Sequence, residues 1–117
     1  MDAALALSNG GPIEMLHMDA QGAELPFLTS IRAEHFNLLR FLVISTHHHS
    51  ISGSPTTHAD CLNCLKKLGA HILVEHKVEE SYSGDGLIAA SFAAEDLKLP
   101  VPPISRNTPQ DSLFRGR

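Results

Sequence analysis

The stretch LLRFLVIST, residues 38–46, is an almost unbroken run of large apolar and β-branched residues. Such a run is typical of a strand buried on both faces of a parallel sheet, because a strand with one solvated face alternates apolar and polar residues. Three histidines and a serine, HHHS, follow at residues 47–50. We therefore predict a central parallel strand with polar side chains at its carboxyl end.

A second strand, IEMLHM at residues 13–18, is predicted upstream, with Asp19 directly after it. The next apolar residues recur at helical spacing from Glu24, with a proline in the first turn, and we expect this helix to end near His35. In α/β sheets, ligands bind beyond the carboxyl ends of parallel strands. Asp19 and the histidines are therefore expected to face one crevice.

The remaining pattern predicts two more strands and two more helices. The connection between the last two strands is too short for a helix, so these strands should form an antiparallel pair, the first of them on a partly solvated edge. A T-x-x-D capping pattern begins the longer helix at Thr57, with Asp60 as its acidic member. The elements are a helix ending at Leu7, a helix over 57–68 stopped by Gly69, strands over 71–78 and 87–92, and a Pro-rich extended tail over 100–117.

Length and charge limit the classes of protein to which the chain can belong. Its 117 residues suffice for one compact domain. With 9 basic and 13 acidic residues the formal charge is −4, and no basic block is present, so we expect no nucleic-acid partner. No apolar run approaches the roughly 20 residues of a membrane span, and no signal peptide is recognisable. With two cysteines only, we expect a cytoplasmic protein in a reducing compartment.

Four stretches together resemble the C-terminal half of an FkbM-type methyltransferase, from about Pro12 onward. They are LHMDAQGAE, STHHHSISGSPTTHADCL, GAHILVEHKVEESYSGDGLIAASF and ISRNTPQDSLFR. Members of this family use S-adenosylmethionine and usually methylate hydroxyl oxygens. The resemblance implies an α/β fold with an incomplete Rossmann-like methyltransferase sheet. In that sheet, 13–18 would be the fourth strand, 38–46 the fifth and the final hairpin the sixth and seventh, in the order four, five, seven, six.

The family's first three strands, which bind the cofactor, have no counterpart in this chain. No strand is followed by a G-x-G turn, and no acid stands where it could hold ribose hydroxyls. Residues 1–99 are therefore expected to be the substrate-side half of a methyltransferase domain, with most of the S-adenosylmethionine site missing. We also expect the fourth strand to leave an unpaired edge through which the chain self-associates, and one sheet face to lack its helices.

The resemblance implies that Asp19 is a catalytic residue and that Asp19 and Gln21 bind the cofactor. The residues alone favour simpler roles equally well. Asp19 can cap the following helix, while Gln21 and Glu24 suit turn and capping positions.

The three histidines His47, His48 and His49 are candidate catalytic residues, one of them a general base that removes the proton of a substrate hydroxyl. On an extended segment, His47 and His49 would lie on one side and His48 on the other. The alternative is that they are loop histidines that bond backbone groups.

No metal site is predicted. His58, Cys61 and Cys64 share one helix face, but His58 and Cys64 are about 9 Å apart along the axis at about 1.5 Å per residue. We interpret the cysteines as packing residues. Residues 83–86 are interpreted first as a plain turn, and the alternative is that this turn brings Asp85 to the crevice.

The leading functional hypothesis is an S-adenosylmethionine-dependent methyltransferase acting on a hydroxylated small molecule or sugar. A second is a truncated, non-catalytic module that binds no cofactor, motivated by the missing glycine turn. A weaker third is a metal-dependent hydrolase that uses Asp19 and the histidines.

Overall fold

A four-stranded mixed sheet with two helices packed on one face forms the core of the computed structural model, which describes residues 1–81 and 83–102. The strands are β1 (Ile13–Met18), β2 (Leu39–His47), β3 (His71–His76) and β4 (Asp85–Ser91). The helices are α1 (Asp2–Leu7), α2 (Glu24–Thr29), α3 (His49–Ser52) and α4 (Thr57–Lys67), with short 3-10 helices at Ala33–His35, Val78–Glu80 and Ala94–Lys98.

The strand order is β1-β2-β4-β3, with β1 and β2 parallel and β4 antiparallel to both of its neighbours. The α/β class, the strand order and the antiparallel pair are thus as predicted. This sheet is compatible with part of a Rossmann-like fold, and the assignment to that fold stays a prediction. The parallel pairing of β1 and β2 brings their carboxyl ends, and the residues that follow, to the same edge of the sheet.

Strand β2 is fully buried on one face only, so the prediction of burial on both faces is wrong. Leu42 and Ile44 are inaccessible to solvent, whereas Phe41 and Val43 on the opposite face are only half-buried. The two helices that carry core residues, α2 and α4, pack against the face that bears Leu42 and Ile44. The other face keeps the apolar composition of a buried surface, as expected for a sheet that lacks helices there.

Helix α2 ends at Thr29 rather than near His35. The hydroxyls of Thr29 and Ser30 donate to the carbonyls of Pro26 and Phe27, at 2.9 and 2.6 Å, which satisfies carbonyls of the last turn. The backbone of Arg32 is then extended (φ −116°, ψ 163°) before the 3-10 helix. The apolar spacing of this region therefore belongs to two short helices.

The cap of α4 and the end of β3 also differ from the prediction, although α4 begins at Thr57 as predicted. Thr56, not Thr57, is the N-cap of α4, and its hydroxyl donates to Asp60 at 2.7 Å. Strand β3 ends at His76, because the chain turns into a 3-10 helix at Val78. Gly69 stops α4 as predicted, with a left-handed backbone (φ +82°) that favours glycine.

A buried carboxylate fixes the segment that follows β4. Asp96 accepts two hydrogen bonds from the Arg40 guanidinium, at 2.7 and 3.1 Å, and one from the Ser91 hydroxyl at 2.6 Å. Hydrogen bonds from Arg40, and then Ser91, lower the pKa of Asp96 from its usual value. This network joins β2, β4 and the last 3-10 helix at the end of the sheet opposite the histidines.

Both edges of the sheet carry short strands. Strand β3 forms one edge and is only partly buried, as predicted. Among residues 1–81 and 83–102, no strand pairs with the outer edge of β1, which also displays Met15 at 58% exposure. None of the helices in this part of the chain has the length and apolarity to cross a membrane. Most of the predicted tail, residues 103–117, lies outside the described residues.

We expect the chain to self-associate through β1, because an unpaired strand edge bordered by an apolar side chain templates pairing with another copy. Met15→Lys should shift the sedimentation profile towards monomer at concentrations where the parent chain associates. Leu97→Lys is the matched control, since Leu97 is equally exposed, at 57%, outside the strands. Equal effects of the two substitutions would show that β1 is not the interface.

Candidate functional site

The imidazole of His47, at the carboxyl end of β2, lies among three carboxylates. Its Nδ1 is 2.7 Å from Glu24 Oε1. Its Nε2 is 2.9 Å from Asp19 Oδ1 and 3.7 Å from Asp85 Oδ1. The structure thus brings Asp19 together with one of the three predicted histidines, and Asp85 also approaches them, which was the second of the two alternatives for its turn. We call His47 with these three acids the His47 cluster.

The turn between β1 and α2 explains how Glu24 reaches His47. Gln21 and Gly22 both have left-handed backbones (φ +48° and +110°), which turn the chain sharply after the strand. The N–H of Gly22 donates to Glu24 Oε2 at 2.9 Å, so the second oxygen is also held. Gln21 itself is exposed at this turn, in the position expected of a turn residue, and its cofactor role stays a prediction.

Burial divides the His47 cluster into a fixed and an accessible side. Glu24 is fully buried and His47 is 4% exposed, whereas the side chain of Asp19 is 58% exposed. A buried carboxylate on Nδ1 fixes both the ring orientation and the proton on that nitrogen. The Nε2 side, with its accessible acid, is the side on which a ligand can exchange a proton with the ring.

The other two histidines do not alternate as an extended segment would require, so that prediction is wrong. The chain leaves the strand at His47, and α3 begins at His49. His48 is the N-cap of α3: its Nδ1 accepts from the N–H of Ser50 at 3.2 Å. The rings of His48 and His49 are in contact, with centroids 3.8 Å apart and planes tilted by 44°. His48 fits the alternative interpretation, a loop histidine that bonds the backbone.

A cleft with a volume of about 620 Å³ opens beside these histidines. This volume is within the range of small-molecule sites, about 300–1,000 Å³. We call it the histidine cleft. Its lining combines imidazoles, apolar side chains and a charged strip on β3 and the following 3-10 helix: His47, His48, His49, Gly53, Pro55, His58, Ala59, Leu62, Glu75, Lys77, Val78 and Glu79.

A second hydrogen-bonded chain reaches the histidine cleft through His58. His58 Nδ1 is 2.6 Å from the hydroxyl oxygen of Thr46, and His58 Nε2 is 3.1 Å from Glu75 Oε1. From the sequence, His58 was a candidate only as a metal ligand, and neither Thr46 nor Glu75 had a predicted chemical role. No motif in the sequence connects these residues, which come from β2, α4 and β3 and meet only in the fold.

Both cysteines pack as predicted. Cys61 is fully buried in the core and Cys64 packs against it. Burial raises the pKa of the Cys61 thiol to about 12 and also raises that of Cys64, so neither thiol is activated as a nucleophile. Within residues 1–81 and 83–102, no group of three or more His, Cys, Asp or Glu side chains is placed to hold a metal ion. The described residues therefore give the metal-dependent hydrolase no support.

Glu24 has a second partner that the sequence did not reveal. It was expected to serve the turn and the cap, and it does accept the turn's N–H, but its first oxygen is directed at His47. A signal was present: a carboxylate five residues after Asp19, across a glycine turn, lies next to the same strand end. Its partner could not be identified without knowing that β1 and β2 are neighbours.

Comparison with known proteins gives one short similarity. A protein of Jannaschia sp. (strain CCS1), named "Putative methyltransferase", is 42% identical to this chain over 48 residues. These residues are 41% of this chain and 17% of that protein, so the match spans about a sixth of the relative's length. No protein-family model and no solved structure matches the chain. The similarity supports a methyltransferase at most, and the FkbM type stays a prediction.

Replacing Glu24 by alanine should lower the free energy of unfolding by about 3–5 kcal/mol, because it leaves the buried His47 ring and the Gly22 N–H without their partner. Chemical denaturation measures the change. Glu34→Ala is the control: the Glu34 side chain is 66% exposed and its short ion pair, 2.7 Å, is with the exposed Arg32, so its loss should cost less than about 1 kcal/mol. Similar costs for the two variants would contradict a buried role for Glu24.

Proposed function

We propose that this chain is the substrate-side part of an S-adenosylmethionine-dependent O-methyltransferase in which His47 is the general base. The observation that supports the proposal is the His47 cluster: a buried Glu24 orients an imidazole whose other nitrogen faces an accessible edge of the sheet. A base oriented by a buried acid is a recurring arrangement for removing a proton from a hydroxyl group. The short similarity to a methyltransferase agrees with this reaction.

The described residues fit one part of S-adenosylmethionine. Asp19 presents an exposed carboxylate at the end of β1, suited to the positively charged methionine part of the cofactor. In residues 1–81 and 83–102, no G-x-G turn leads from a strand into a helix to hold the nucleotide. When bound, the cofactor supplies an activated methyl group.

In this proposal the residues of the chain manage the proton and the position of the acceptor. The acceptor hydroxyl would take the place of Asp19 on His47 Nε2 and transfer its proton to that nitrogen. Glu24 keeps the ring in place through Nδ1, and the charge that develops on the ring is stabilised by the surrounding acids. The histidine cleft, next to the ring, holds the rest of the acceptor.

Calorimetric titration of S-adenosylmethionine, with S-adenosylhomocysteine as second ligand, tests cofactor binding. Transfer of labelled methyl groups to a panel of hydroxylated compounds tests the reaction. We expect saturable binding, and His47→Gln and Glu24→Gln should lower transfer by about 10²–10⁴-fold, the usual contribution of a general base. His71→Gln, at the start of the edge strand β3, is the matched control and should leave the rate unchanged.

A folded chain that binds neither compound and transfers no methyl group would contradict the proposal. That result would favour the second candidate, a non-catalytic module, which the missing glycine turn supports. Methyl transfer that survives in His47→Gln would keep the reaction but remove His47 as its base.

A further inference from the structure

The hydrogen-bonded series Thr46–His58–Glu75 has no role in the proposed methyl transfer, although it ends in the same cleft. Thr46 is inaccessible to solvent, the His58 side chain is 13% exposed and the Glu75 side chain is 33% exposed. This series of hydrogen bonds thus runs from the core to the cleft wall. Because each ring nitrogen of His58 has a partner, the imidazole cannot rotate without losing both hydrogen bonds.

Gly86, which pairs with Thr46 across the sheet, provides the space for the contact between Thr46 and His58. A Cβ atom on Gly86 would overlap both the Thr46 hydroxyl and His58 Nδ1. The two strands and α4 therefore approach closely at one point, and only glycine permits it. The position of His58, and with it that of Glu75, is thus set by the backbone of the sheet.

Glu75 is consequently a preorganised carboxylate on the wall of the histidine cleft. Within the described residues its Oε1 is held by His58, and no partner is recorded for its Oε2. A carboxylate held in this way accepts a hydrogen bond from a ligand without first losing side-chain freedom.

The charges around Glu75 indicate what kind of donor suits it. Lys77 lies between Glu75 and Glu79 along the same strip, and imidazoles are also part of the cleft lining. Because two carboxylates and one ammonium lie side by side, the strip presents no uniform charge that would select a simple cation or a simple anion. Hydroxyl groups both donate and accept, so they can satisfy carboxylates, ammonium and imidazoles together. The apolar lining, including Leu62 and Val78, suits the carbon skeleton of such a ligand.

We propose that Glu75, positioned by His58 and Thr46, is a specificity-determining residue that binds a second hydroxyl group of a polyhydroxylated acceptor. This inference rests on the proposed function, since the first hydroxyl is the one bonded to His47. His58 and Thr46 are positioning residues: they act on the ligand only through Glu75.

The test is an NMR titration of the purified chain, following the histidine ring signals. The probes are myo-inositol as polyol, cyclohexanol as its single-hydroxyl counterpart and ethanolamine as a cation. We expect saturable shifts of the His58 signal with myo-inositol and at least tenfold weaker binding of the other two probes. Glu75→Gln should weaken myo-inositol binding about tenfold, as loss of a hydrogen bond to a charged group does.

Two matched variants separate positioning from folding. Thr46→Val removes the hydroxyl with little change in shape and should weaken binding of myo-inositol several-fold, whereas Thr46→Ser keeps the hydroxyl and should restore it. Circular dichroism of both variants is the check that they fold as the parent chain does. Glu95→Gln, which changes an acid near the opposite end of the sheet, should bind as the parent chain does.

Equal binding of myo-inositol and cyclohexanol, preference for ethanolamine, or unchanged binding by Glu75→Gln would each overturn the inference. Its failure is distinguishable from failure of the proposed function. Binding of S-adenosylmethionine without binding of myo-inositol would refute only the role of Glu75. Binding of myo-inositol alone would identify a polyol site and refute the methyltransferase proposal for this chain.

Discussion

The hydrogen bond between Glu24 and His47 is the interaction on which the site depends. It joins the first turn of α2 to the last residue of β2, and both partners are removed from solvent. A buried carboxylate is tolerated only when its oxygens have partners, and here one oxygen has the ring and the other the Gly22 N–H. The left-handed turn after β1 is therefore required for more than reversing the chain. It delivers a backbone donor and a carboxylate to the same place.

The parallel pairing of β1 and β2 determines which residues can take part. Parallel neighbours end at the same edge, so the residues after Met18 and those at the end of β2 meet there. The antiparallel strand β4 begins at that edge and brings Asp85 opposite His47. Three segments distant in sequence thus supply one ring and its three acids. The opposite end of the sheet is closed by the contacts of Arg40 with Asp96.

The sequence predicted elements well where a single physical signal was decisive, and less well where signals competed. Gly69 ends α4 as expected, because no other residue adopts its backbone conformation as readily. Helix α2 was predicted too long, because apolar spacing continued past Ser30 while side-chain hydroxyls had already satisfied the last carbonyls. In the site, Asp19 and His47 could be placed from strand ends alone. The contacts of Glu24, and of His58 with Thr46, depend on which elements pack together, and no local pattern encodes that.

The register of β2 and β4 links the His47 cluster to the hydrogen bonds of His58 with Thr46 and Glu75. Thr46 pairs with Gly86, and His47 pairs with Asp85. Successive residues of β2 therefore lie opposite a glycine and then an acid. A shift of one residue would place a side chain where only glycine fits and would separate Asp85 from His47. The close contact of Thr46 with His58 therefore excludes such a slip. The same constraint that positions Glu75 in the cleft thereby also keeps the His47 cluster assembled.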